Sequence, residues 1–199
     1  MRLRGILIVA ALSAAQLGVA LGQQAAATAK TQAPSGLSLA FDAPHGQLTA
    51  SGYTIRPHPL TTPTGTASVS GTLNITITID IVSKFGRDVR IPCAAIAIGG
   101  EADTSVPIVD GGIETASGDA MVDWKTKTAT CTLSIPYEWT LVTDPSAGEG
   151  VFVGFAAAAV GHDNSHDVDQ TKRSTIQIGG PLPLPPTGTT TTLAFTTTL

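Results

Sequence analysis

Charge is scarce in this chain of 199 residues: Asp, Glu, Lys and Arg make up 13% of it, about half the usual share for a soluble domain. Eleven basic residues face 15 acidic ones, and no run of Lys or Arg interleaves with aromatics. These shortages exclude a basic nucleic-acid binder, a charge-extended disordered chain and a coiled coil. Aromatic residues amount to 5%, so a sugar-stacking platform would rest on Trp124, Tyr137 or Trp139 alone. The phosphate-cradling GxxxxGK(S/T) loop is missing, as is the GxSxG elbow of acyl-transfer enzymes. The four histidines, His45, His58, His162 and His166, fall in expected loops with no paired Ser or Cys signature. We therefore assign no catalytic and no cofactor-binding residue, and expect a protein that is not an enzyme. A secreted hydrolase of unspecified type is the third reading, behind the two developed below.

Hydrophobic residues make up 42% of the chain, enough for a core, and Gly 21, Pro 13 and Thr 29 favour short strands and turns over helices. Met1-Arg2-Leu3-Arg4 is basic, Gly5 to Val19 is apolar, and Ala20-Leu21-Gly22 offers small residues. This is the order of a secretory signal, expected over 1–22. The apolar run falls short of the roughly 20 residues of a membrane span, and no later run approaches that length. The sequence thus implies a mature chain without a membrane span, secreted to the periplasm or cell surface. From 23 to 66 the composition is small, polar and rich in Pro and Thr, and weak order is expected around one short strand, Leu37 to Phe41.

From Val69 to Ile81 the odd positions hold Val69, Gly71, Leu73, Ile75, Ile77, Ile79 and Ile81, and the even ones hold polar residues. Strict period-two alternation of β-branched residues predicts a half-buried strand of about twice the common length, bent near Gly71, shared by two sheets, or projecting. Further strands are expected at Val89–Ile98, Ser105–Val109, Met121–Trp124, Thr128–Ile135, Tyr137–Val142, Val151–Val160 and Ser174–Ile178. Gly99-Gly100, Gly111-Gly112 and Ser117-Gly118-Asp119 read as breaks between them, and Trp124 to Thr128 as a hairpin. Many short strands without helices imply an all-β, immunoglobulin-like antiparallel β-sandwich of about 7–9 strands over 67–180. The alternation bears a distant likeness to fimbrial subunits, which complete their sandwich with a neighbour's strand, although the Gly and Tyr pattern that closes those subunits is lacking.

Two cysteines in an exported chain allow one disulfide, Cys93 to Cys131. Each alternates with apolar neighbours, so both sulfurs point to the core face. Gly161 to Asp169 is the densest cluster of ligand-type side chains. His162, Asp163, His166, Asp167 and Asp169 there are candidates for calcium or zinc, although Val168 and Ser174 occupy positions where a calcium loop of the EF-hand type carries Gly and Glu. Asn74-Ile75-Thr76 is an N-glycosylation triplet. Leu184-Pro185-Pro186-Thr187-Gly188 resembles the LPxTG motif cut by sortases, but the apolar span and basic tail that accompany that motif do not follow it. Residues 181–188 otherwise read as a stiff spacer, and 189–199 as a strand with one apolar face, docking on its own sandwich or on a neighbour's.

These features imply a non-enzymatic secreted or cell-surface structural or interaction protein, with a protein or surface partner that includes copies of itself, as in a pilus-like assembly. The alternatives are an extracellular ligand- or metal-binding module centred on 162–169, and a sortase-anchored surface protein.

Overall fold

The computed structural model describes residues 36–56, 66–85, 88–101, 108–142, 149–163 and 168–199. The expected signal segment, 1–22, lies outside them. Among the described residues there are eleven strands and no helix: β1 (Ser38–Asp42), β2 (Gln47–Ser51), β3 (Thr54–Ile55), β4 (Thr66–Asp80), β5 (Pro92–Glu101), β6 (Ile108–Asp119), β7 (Met121–Asp123), β8 (Thr128–Val142), β9 (Glu149–Asp163), β10 (Val168–Leu182) and β11 (Thr189–Thr198). They form a five-stranded sheet in the order β10-β9-β5-β6-β3, a four-stranded sheet in the order β11-β4-β8-β7, and the hairpin β1-β2. The expected sandwich-like, all-β architecture is therefore present, with the hairpin as an added layer.

Alternation in β4 decides the core. Leu73, Ile75, Ile77 and Ile79 are at most 1% exposed and face inward with Cys131, Leu133 and Ile135 of β8. Full burial contributes about 1.5–3 kcal/mol for each such aliphatic side chain. The strand is neither shared by two sheets nor projecting: β4 stays in one sheet and pairs with β8, equally long, from Thr66 to Asp80 without a register shift. A single strand runs through Pro136, where a break between two strands was expected. Because β7 pairs only with Thr128 to Thr130, β8 is an edge strand at Pro136, where a residue without an N–H is tolerated.

Cys93 on β5 and Cys131 on β8 are bonded across the two sheets, with Cα atoms 6.6 Å apart. On the chain-entropy model the 38-residue separation gives about 4 kcal/mol. A disulfide of this kind forms in an oxidising, extracytoplasmic environment. No helix of the described residues is long and apolar enough to cross a membrane.

Several glycines expected to break strands lie inside them instead. Gly99 and Gly112 face each other across β5 and β6, and Trp139 of β8 lies over them. A methyl group at Gly99 would sit 2.7 Å from the Trp139 ring, and one at Gly111 would sit 2.6 Å from Leu141 and 3.0 Å from Trp139. The absent side chains let the large one, 1% exposed, fill the space between the sheets. Other strand limits also move. β5 begins and ends three residues later than predicted, at Pro92 and Glu101. The strand predicted at Ser105–Val109 starts at Ile108, among the described residues, and continues as β6 to Asp119.

Within 23–66, the described residues 36–56 contain β1, β2 and β3. β1 and β2 pair from Ser38↔Ser51 to Asp42↔Gln47 and lie on the outer face of the five-stranded sheet. Leu37 and Leu48 are buried there against Ile96, Ile98 and Phe152. Gly154 makes room, since a methyl group at its position would lie 2.4 Å from Leu39. This third layer explains why β5 is buried at every residue on both of its faces.

Candidate functional site

The hairpin covers the five-stranded sheet, but no described strand covers the four-stranded one. Its outward side chains come from the even positions of β4, β8 and β11. Pairing of β11 with β4 is parallel and runs from Thr189↔Gly71 to Thr198↔Asp80. Neither this pairing nor β4–β8 contains a bulge, in contrast to β9–β10 and β5–β6, whose registers shift. The outward residues therefore line up in straight rows across three strands. Successive rows are Thr190–Thr72–Pro136, Thr192–Asn74–Ser134, Ala194–Thr76–Thr132, Thr196–Thr78–Thr130 and Thr198–Asp80–Thr128. Outer-strand members of the middle three rows are exposed, and Asn74, Thr76 and Thr78 on the central strand are half-buried.

Threonine predominates on this face. Ten of the fifteen positions are Thr read directly from these pairings, and the first charged side chains appear at its ends, Asp80 at one and Glu138 past the other. β7 extends one row with Met121, paired with Thr130 and 83% exposed. Threonine is a good strand former with a stiff χ1, so each one fixes a hydroxyl and a methyl in a narrow range of directions. The glycosylation triplet lies in the middle of the face, with Asn74 on the central strand. Sequence alternation located the outward positions of β4 and the tail, but the rows appear only once register aligns three segments far apart in the chain.

Of the candidate metal ligands, the structure describes His162, Asp163 and Asp169. β9–β10 pairing sets His162 opposite Asp169 and Asp163 opposite Val168, while His166 and Asp167 lie outside the described residues. His162 Nδ1 is 3.3 Å from Asp169 Oδ1. Arg90 donates to Asp169 Oδ2 at 3.2 Å and to the Pro44 carbonyl at 2.6 Å, which ties β10 to the β1–β2 turn. The His162 hydrogen bond, and after it Arg90, hold the Asp169 carboxyl below its ordinary value. A guanidinium already bound to the carboxylate opposes a cation there. No group of three or more His, Cys, Asp or Glu side chains suited to a metal occurs among the described residues.

A second polar cluster was not foreseen. Glu101, 3% exposed at the end of β5, forms an ion pair with Arg56, which follows β3. The Arg56 N–H also donates to the Val109 carbonyl at 2.9 Å, so the pair holds the short parallel strand β3 against β6. Arg56 lies in the 23–66 segment, where the sequence predicts weak order; the hint is a lone Glu closing the apolar run Pro92 to Gly100. The sortase-like segment is part of the fold. Pro185 is buried, Thr187 and Gly188 form a turn, and the Gly188 N–H donates to the Ser70 carbonyl at 2.7 Å. Under it lies an apolar recess of about 270 Å³ lined by Leu73, Val153, Leu182, Leu184 and Leu193. That volume is at the lower limit of small-ligand sites, roughly 300 Å³.

The chain matches no protein-family model, and no curated protein and no solved structure matches it.

Proposed function

We propose that the protein is a secreted or surface-exposed, non-catalytic binding protein that uses the open face of its four-stranded sheet to hold an uncharged, extended partner. The observation that carries this reading is the set of four successive rows without a charged side chain across β11, β4 and β8, from Thr190–Thr72–Pro136 to Thr196–Thr78–Thr130. Solvated faces normally carry about a quarter to a third charged residues. The outward strand β10 shows that usage here, with Lys172 and Arg173 both exposed. Strand propensity accounts for threonine but not for the exclusion of charge from one face alone. An expected signal segment and the sheet-to-sheet disulfide support export.

For an assembly of pilus type, the sheet edge beside β4 would have to accept a neighbour's strand; the chain's own β11 fills that edge. Nothing observed favours the sortase or metal readings over the open face. The test is retention of the purified protein on a panel of uncharged solids that spans insoluble polysaccharides and ice. Wild type should be retained by at least one solid. Thr76→Lys with Thr132→Lys should abolish retention, and Lys172→Glu should leave it intact. Retention by none of them, or equal loss in all variants, overturns the reading.

A further inference from the structure

The open face fixes the class of partner more narrowly than "uncharged". Neighbouring strands lie about 4.8 Å apart and alternate residues along a strand about 6.7 Å apart, so the rows form a two-dimensional lattice with those repeats. An unbroken register keeps the lattice coherent over five rows, and the twist between strands accumulates over only two strand pairs. Ten of its fifteen points are Thr, each offering a hydroxyl that both donates and accepts beside a methyl that cannot compete for water, and one row, Thr196–Thr78–Thr130, is Thr throughout. Stiff β-branched rotamers remove most of the ordering cost of binding.

Three candidate occupants differ in what they require. A second copy of the chain would stack on a patch of about 14 Å by 30 Å. That is roughly half of the 800 Å² per partner typical of a stable protein interface. A sugar chain would want aromatic platforms, and the three strands place none on this face: Tyr137, Trp139 and Phe195 point to the opposite side. Ordered water needs neither. The oxygen rows on a prism face of ice repeat in two perpendicular directions on this same scale, carry no net charge, and present donors and acceptors without preference.

We infer that the threonine lattice of β11, β4 and β8 is an ice-binding face. Waters hydrogen-bonded to the Thr196–Thr78–Thr130 row and its neighbours, and caged by the adjacent methyls, merge with the surface layer of the crystal. The inference rests on the open face as the interaction surface and names its partner.

Slow growth of ice from a dilute solution of the purified protein tests it. Wild type should be enriched several-fold in the ice fraction relative to the remaining liquid, and should facet ice crystals viewed near the melting point. Thr196→Lys with Thr130→Lys places two ammonium groups on the exposed ends of one row. It should return the protein to the liquid while the disulfide and a cooperative melt are retained. Thr196→Ser, which keeps the hydroxyl and deletes the methyl, should give intermediate enrichment. Exclusion of the wild-type protein from ice overturns the inference. If the protein then binds an insoluble polysaccharide and loses that binding in the Lys variant, the open face stands as the interaction surface and only the identity of the partner falls. If it binds neither solid, both readings fall together.

Discussion

Trp139 shows how much of this fold turns on side chains that are missing. Its ring lies where Gly99, Gly111 and Gly112 leave space, and Gly111 lacks the positive φ that would make glycine obligatory on conformational grounds. Gly111→Ala is therefore a test of packing alone. A methyl group 2.6 Å from Leu141 should cost about 1–3 kcal/mol in urea denaturation. Gly118→Ala, whose nearest atom would be at 3.6 Å, should change stability by no more than about 0.5 kcal/mol. Equal effects at the two positions would show that the Trp139 contact does not govern this part of the core. Arg56 and Glu101 set the opposite problem, a charge pair taken out of water. Arg56→Ala leaves the Glu101 carboxylate buried without its counter-ion and should cost about 3 kcal/mol, whereas joint replacement by Met and Leu should recover most of that loss. Tyr137 carries a buried hydroxyl with no hydrogen-bond partner among the described residues, and burial raises its pKa above the ordinary 10.0. The unfolded chain gives up this proton first, so its contribution to stability is complete below pH 10 and declines as pH rises beyond it. Denaturation midpoints measured between about pH 9 and pH 11 should fall in the wild type and fall less in Tyr137→Phe.

Among the elements, those with one wet face were legible in the sequence and those buried on both faces were not. Alternation placed β4 within three residues of its start and one of its end, and likewise marked β11, because each buries every second side chain. β5 and β9 carry apolar residues on both faces, so the period that locates a strand is lost, and only their existence could be read. β2 and β3 were missed since Gln47–Ser51 and Thr54–Ile55 have little apolar character of their own, and their order comes from packing on a sheet distant in sequence. Glycine misled for a related reason: in a strand it signals close approach as readily as a turn. The candidate site was half visible. Outward threonines could be listed from the sequence, but their rows depend on a parallel pairing that brings residue 190 beside residue 72. That pairing also makes the tail structural. Leu193 and Leu199 are buried, and Phe195 meets Phe155 with ring centres 4.9 Å apart. Deleting Thr189–Leu199 should remove about 1.5–3 kcal/mol for each buried leucine and lower the melting temperature distinctly. An unchanged melt would mean that β11 is dispensable to the core and serves only the outer face.

At the scale of the whole molecule, the three layers divide the work. The hairpin seals one side of the five-stranded sheet, the disulfide joins that sheet to its partner, and no described strand covers the partner's far side. The parallel alignment of β11 with β4 also gives the molecule a mechanical character. Held at Thr66 and Leu199 and drawn apart, the two strands are pulled lengthwise in opposite directions. The hydrogen bonds between Thr189–Thr198 and Gly71–Asp80 then bear the load together, whereas a hairpin such as β9–β10 pulled at its open ends gives way one rung at a time. In single-molecule extension the first geometry should rupture at a markedly higher force than the second. Comparable forces would mean that the core fails before the β4–β11 seam. After rupture the Cys93–Cys131 bond withholds the loop between them from the extending chain. Adding a reductant should lengthen the unfolding step by about 130 Å, since the cysteines are 38 positions apart and each residue spans about 3.4 Å when extended.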